Sequence, residues 1–126
     1  MAGGRLIGVT IARFLSIARK DADEMITAVS LGERKRMMIE RGSAIAVLPG
    51  GIGTADELME VLERKKQGEH SKPVVVLNTD DFYRGIHLQL KKMYNEGFIP
   101  MPLENLVYFA KTPHLAIEYI ASALHK

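Results

Sequence analysis

The stretch Ala44-Ile45-Ala46-Val47-Leu48-Pro49-Gly50-Gly51-Ile52-Gly53-Thr54-Ala55-Asp56-Glu57 decides how this chain folds. Its first five residues form an apolar run without polar alternation, the pattern of a strand covered on both faces in a parallel sheet. Pro49 stops the run and the glycines turn the chain. From Thr54 to Gln67 the sequence reads as a helix, with Leu58, Val61, Leu62 and Lys65 on one face. Thr54-Ala55-Asp56-Glu57 has the form of a capping box, which predicts a helix starting at Thr54.

Working outward, the same alternation of strand and helix continues. Leu6–Ile11 and Met25–Val29 read as strands on the amino side, Pro73–Leu77 and the weaker Leu106–Phe109 on the carboxyl side. Ser30–Arg41 reads as a helix opened by the capping-box pattern Ser30-Leu31-Gly32-Glu33. Ile86, Leu90 and Met93 mark a further helix ending near Gly97. Ala116, Ile120, Ala123 and Leu124 mark a last one after Pro113. Strands separated by helices of this length imply βαβ units. The expected fold is α/β: a Rossmann-like three-layer sandwich with a mainly parallel sheet, as a single domain over residues 1–126.

Bulk properties exclude several functions. The chain has 126 residues and no cysteine, so disulfides, thiolate metal sites and a cysteine nucleophile are out. A formal net charge of +2 offers no electrostatic footprint for nucleic acid. No apolar run reaches the roughly 20 residues that cross a bilayer, and Met1-Ala2-Gly3-Gly4-Arg5 leads straight into a strand-like run with no secretory leader. A cytoplasmic protein without nucleic-acid or membrane partners is expected. His70, His87, His114 and His125 stand at no metal-ligand spacing, so no metal or cofactor is expected.

The chemistry concentrates at the glycine turn. A strand, a glycine-rich loop and a helix N-terminus make a ready anion site. Glycine permits close backbone approach, and the first helical N–H groups lack internal partners and carry the positive end of the dipole. A phosphate at the carboxyl ends of parallel strands is the natural guest, with Thr54 adding a hydroxyl. Two familiar phosphate loops do not fit. No lysine precedes Thr54 as a P-loop requires, and Asp56 stands where a dinucleotide fingerprint needs its third glycine. A plain strand-to-helix turn, glycine-rich for geometry alone, is the competing reading.

Pro49-Gly50-Gly51-Ile52-Gly53-Thr54-Ala55-Asp56-Glu57 resembles the P-G-G-x-G-T-x-x-E signature of the LOG family, the cytokinin riboside 5′-monophosphate phosphoribohydrolases long described as possible lysine decarboxylases. Glu33-Arg34-Lys35 followed by Met38 resembles the family's E-R-K-x-x-M stretch. Gln67-Gly68, Lys72-Pro73, Leu77-Asn78, Tyr83 and Glu96-Gly97-Phe98-Ile99 resemble later landmarks in order. The resemblance implies a Rossmann-like homodimer that cleaves a nucleoside 5′-monophosphate, AMP or N6-modified AMP, into free base and ribose 5-phosphate. It implies a catalytic arginine at Arg34, a catalytic glutamate at Glu57, and a phosphate loop at Gly50, Gly51, Gly53 and Thr54. Lys35 and Glu60 are further candidates for substrate contact. Gly3 to Val9 resembles a segment well inside family members, so the family's first two strands and their glycine-rich loop have no counterpart here.

Residue chemistry bears on these roles. Breaking an N-glycosidic bond builds positive charge on the sugar. A carboxylate beside C1′ can stabilise that charge, orient water as a base, or attack directly. Glu57 fits that task, or it merely completes the Thr54 cap. Arg34 can grip a carboxylate or phosphate bidentately, or it is a solvated member of the basic run Arg34-Lys35-Arg36. Asp80, Asp81, Tyr83 and Arg84 form a loop after a strand, where Asp80 lines the functional rim or caps the next helix. Lysine decarboxylation is a poor match, because nothing singles out a Schiff-base lysine. A nucleotide-binding module without turnover is the alternative to the enzyme. Loss of the central strands predicts an oligomer, most simply a dimer, with Leu31, Met37 and Met38 as contacts. It also predicts that Leu6–Ile11 pairs beside Ala44–Leu48 or with another chain.

Overall fold

A computed structural model describes residues 7–11 and 24–125. The chain divides into two compact units, Met1–Gly42 and Ser43–Lys126. In the first, strands β1 (Ile7–Ile11) and β2 (Glu24–Ala28) pair in parallel, with Ile7 opposite Glu24 and Ile11 opposite Ala28. Leu6, expected to open β1, lies outside the described residues. Helix α1 (Leu31–Arg41) lies against both strands. The expected partner of Leu6–Ile11 is Ala44–Leu48 or another chain; within this unit β1 instead takes β2 along one edge. A strand near in sequence pairs at a smaller loop-closure cost than a distant one.

Helix α1 starts where its capping box places it. The Ser30 hydroxyl accepts the Glu33 N–H at 3.1 Å, and the Glu33 carboxylate reaches back to accept the Val29 N–H at 2.7 Å. Two orphan donors are thereby satisfied reciprocally, the second one residue earlier than the standard pattern. Only Ile39 of this helix is buried.

The second unit holds a three-stranded parallel sheet in the order β3 (Ile45–Val47), β4 (Val74–Leu77), β5 (Tyr108–Ala110). Ile45 pairs with Val74, and Val75 with Tyr108. Val74, Val75 and Val76 are each 0% exposed. Successive strand residues point to opposite faces, so β4 is covered on both, as its unbroken apolar run required. Helix α2 (Ile52–Lys66) connects β3 to β4 and buries Leu58, Val61 and Leu62. Lys65 shares that stripe, and burial holds its ammonium below the ordinary lysine range. Helix α3 (Arg84–Asn95) and the short α4 (Leu103–Leu106) lead to β5, and α5 (Pro113–Leu124) packs on β4 and β5 through Ala116, Tyr119 and Ile120.

Three expectations shift. The strand foreseen at Leu106–Phe109 begins at Tyr108, because Leu103–Leu106 turns into α4 to bury Leu106. Asp80 does not cap α3, whose N-cap is Tyr83 and carries no side-chain cap bond. Thr54 does not start α2. Gly51 is its N-cap, and Thr54 is the third helical residue. A glycine N-cap needs no side-chain acceptor, so a start signal based on side-chain capping misplaces this helix by two residues. The Thr54–Glu57 capping box does not exist.

Candidate functional site

The parallel arrangement brings three chain segments to one edge of the second sheet. Each strand ends there: β3 in Leu48–Gly51, β4 in Asn78–Tyr83, and β5 in Lys111–Thr112. That is the edge at which open α/β sheets bind ligands.

The glycine loop is built for approach from outside. Gly51 and Gly53 are exposed, and a Cβ on either would meet nothing within 4 Å. Gly51 has φ −97°, a conformation open to other residues, so no left-handed backbone calls for glycine there. What the missing side chain leaves is bare backbone. The N–H groups of Ile52, Gly53 and Thr54 occupy the first helical turn, where no intrahelical acceptor exists. Gly51 offers no side-chain cap, and the first turn holds no acidic residue. The last turn holds Arg64, Lys65 and Lys66, which complement the opposite end of the dipole.

Gly50 serves the loop differently. A Cβ there would come within 2.9 Å of the Thr54 Cβ and closer still to its hydroxyl oxygen. Glycine at this position is what allows Thr54 to fold back over the turn. The four phosphate-loop residues foreseen from the motif thus divide: Gly50 shapes the turn, while Gly51, Gly53 and Thr54 present helix-end amides.

Glu57 is on the same helix as the loop, in the turn that follows it, half-buried and one turn before the buried Val61. Its place in the chain is not that of a capping-box glutamate, because Thr54 is inside the helix and not its N-cap. Glu60, one turn on, is held by Arg64 in an ion pair at 3.0 Å. Arg34 and Lys35 lie half-buried on α1 in the first unit, and the Arg34 N–H donates to the Ser30 carbonyl at 3.0 Å. Their neighbour Arg36 is half exposed and engages Glu33 and Glu40 at 3.9 and 4.0 Å, a surface network of small energetic weight. Among the described residues no group of three His, Asp or Glu side chains could hold a metal ion, and no helix is long and apolar enough to cross a membrane.

One participant escaped the sequence reading of the loop. Tyr83, 3% exposed, donates its hydroxyl to the Leu48 carbonyl at 2.6 Å and hydrogen-bonds the backbone of Gly50. Burial raises its phenol above the ordinary tyrosine range, and the Gly50 bond partly opposes that shift. Its own N–H donates to Asn78 Oδ1 at 2.6 Å. Between these two residues Asp80 and Asp81 have φ 54° and 58°. A left-handed backbone at consecutive non-glycine residues is strained and marks a segment constrained by its surroundings. The signals in the sequence were its place in a rim loop and its resemblance to a family landmark, and neither pointed to a bond with Leu48.

Comparison with known proteins agrees with the motif. A family model described as "Possible lysine decarboxylase" matches residues 1–120. A cytokinin riboside 5′-monophosphate phosphoribohydrolase of Rhodococcoides fascians is 36% identical over 124 residues, which is 96% of this chain and 63% of that protein. One of Mycobacterium tuberculosis is 35% identical over 83% of this chain and 58% of its own length. The LOG2 enzyme of Arabidopsis thaliana is 34% identical over 86% of this chain and 52% of its own length. The chain thus spans between half and two thirds of the length of these relatives.

Proposed function

This chain belongs to the possible lysine decarboxylase family, and on that premise we propose that it carries the phosphate site and the catalytic carboxylate of a nucleoside 5′-monophosphate phosphoribohydrolase. The substrate is AMP or an N6-modified AMP, and water replaces the base at C1′ to give free base and ribose 5-phosphate. The observation that carries this reading is the uncapped glycine N-terminus of α2, with Glu57 in the next turn of the same helix. The relatives' activity agrees with it.

In this reading the phosphate sits on the N–H groups of Ile52, Gly53 and Thr54 and faces the positive end of the α2 dipole. That contact holds the ribose against the helix. Glu57 stabilises positive charge as the glycosidic bond lengthens, and it orients or deprotonates the attacking water. Arg34 supplies a planar guanidinium to an anionic group, and Lys35 and Glu60 contact the substrate more weakly. A point charge cannot replace the guanidinium fork, so Arg34→Lys should lower turnover. The protein acts as a two-fold homodimer. Leu31 and Met38 on α1 support this, at 43% and 44% exposed, since exposed apolar side chains on one helix suit a protein contact.

The deciding experiment is product analysis over a panel of nucleoside monophosphates, with the nucleosides as controls. Adenine released from AMP but not from adenosine is the expected result. The second reading is a module that binds the nucleotide without turnover, since the α2 N-terminus by itself accounts for binding and not for base release. AMP affinity without base release decides for that module. Equal affinity for AMP and adenosine overturns the phosphate site in both.

A further inference from the structure

We propose that Tyr83 is a positioning residue of the phosphate loop, tying the end of β3 to the loop after β4 so that the α2 amides are held ready for the anion. The inference rests on the reading of α2 as a phosphate site. It adds a residue outside the glycine motif and a mechanism for loop order.

The geometry sets out a relay in three steps. First, the Asn78 N–H donates to the Ala110 carbonyl at 2.7 Å, anchoring the end of β4 to the end of β5. Second, Asn78 Oδ1 accepts the Tyr83 N–H at 2.6 Å, which sets where the ring enters. Third, the Tyr83 hydroxyl donates to the Leu48 carbonyl at 2.6 Å, beside the backbone of Gly50. Leu48 immediately precedes Pro49, so a single buried hydroxyl holds the entry to the turn that leads into α2.

The consequence is selective. The tether acts on the turn and leaves to the anion the N–H groups of Ile52, Gly53 and Thr54, which have no intrahelical acceptor. A loop rich in glycine loses much backbone entropy when it becomes ordered around a ligand. A tether formed in the free protein removes part of that loss beforehand, which raises affinity without a new contact to the ligand. The left-handed Asp80 and Asp81 fit this account: the chain between Asn78 and Tyr83 adopts an unfavourable backbone while both ends are held. Tyr83 touches no reacting atom in this scheme. Its effect belongs to binding and not to the chemical step.

The test is Tyr83→Phe, which keeps the ring and removes the hydroxyl, with Asn78→Ala as a second variant that disturbs the anchor from the other end. Calorimetry with AMP and adenosine, steady-state kinetics and amide hydrogen exchange are measured on each. For Tyr83→Phe the Kd and KM for AMP should rise by about tenfold, with kcat within about twofold of wild type. Exchange at the Gly50 amide should accelerate by a similar factor. Asn78→Ala should reproduce the loss of AMP affinity. A Tyr83→Phe protein that melts lower yet binds AMP as wild type does would make the residue structural only and overturn the inference. Unchanged exchange at Gly50 would overturn it independently. Wild-type protein that binds AMP without releasing base removes only the catalytic reading, and the Kd comparison still decides. Wild-type protein with no AMP affinity removes the phosphate site and this inference with it.

Discussion

Helices α1 and α2 begin in opposite ways, one closed by its own side chains and the other without a side-chain cap. The α1 N-terminus is closed by its own side chains: Ser30 accepts the Glu33 amide, Glu33 accepts the Val29 amide, and the glutamate supplies negative charge to the dipole. The α2 N-terminus has a glycine cap, no side-chain acceptor and no acid in its first turn. An anion at the second is therefore not competing with the protein's own groups. With a side-chain cap in place of glycine, this helix of 15 residues could have gained about a few tenths of a kcal/mol. That stability is absent at the one helix start where the family motif lies.

The strongest way to sharpen the contrast is Glu57→Gln. Glu57 lies outside any cap, so the variant should melt within a few degrees of wild type and bind AMP within a few-fold. Base release should fall by about 10²–10⁴-fold, the usual worth of a positioned base. Retained turnover, followed by chromatography of free adenine, would return Glu57 to a structural role.

Gly51→Asp breaks the contrast by giving α2 the kind of end that α1 has. The carboxylate would cap the helix and complement its dipole, adding about 0.3–1 kcal/mol to stability. The same charge would occupy the anion's place and repel it. Melting temperature should rise while AMP affinity falls by more than tenfold. A rise in both would mean that the phosphate binds elsewhere.

Gly50→Ala probes the turn beneath the site. Its Cβ would collide with the Thr54 side chain, so overpacking of about 1–3 kcal/mol is expected in denaturant unfolding. Gly53→Ala meets open space and should be much milder in stability. Equal losses at the two positions would contradict the division of roles among the glycines.

Ser30→Ala gives the smallest effect and the complementary one. Losing the α1 cap should cost about 1 kcal/mol. AMP affinity should stay within twofold of wild type, because Ser30 contributes only to the helix end. A large loss of affinity would show that the α1 end is more than structural.

The sequence by itself determined what depends on near neighbours along the chain. Apolar runs marked all five strands of the described residues to within two residues, most sharply β4, which is buried on both faces and apolar throughout. Ser30 and Glu33 marked the start of α1, because a capping box is a contact over three residues. The nonapeptide from Pro49 to Glu57 marked the family. Tertiary structure decided what depends on distant partners. It moved the start of α2 to Gly51, since a glycine cap leaves no side chain to read and Gly50 makes room for Thr54. It paired β1 with β2, a choice of partner that hydrophobic pattern alone leaves open. It also placed the Tyr83 hydroxyl on the Leu48 carbonyl, a bond that exists only because parallel strands bring their carboxyl ends to one edge.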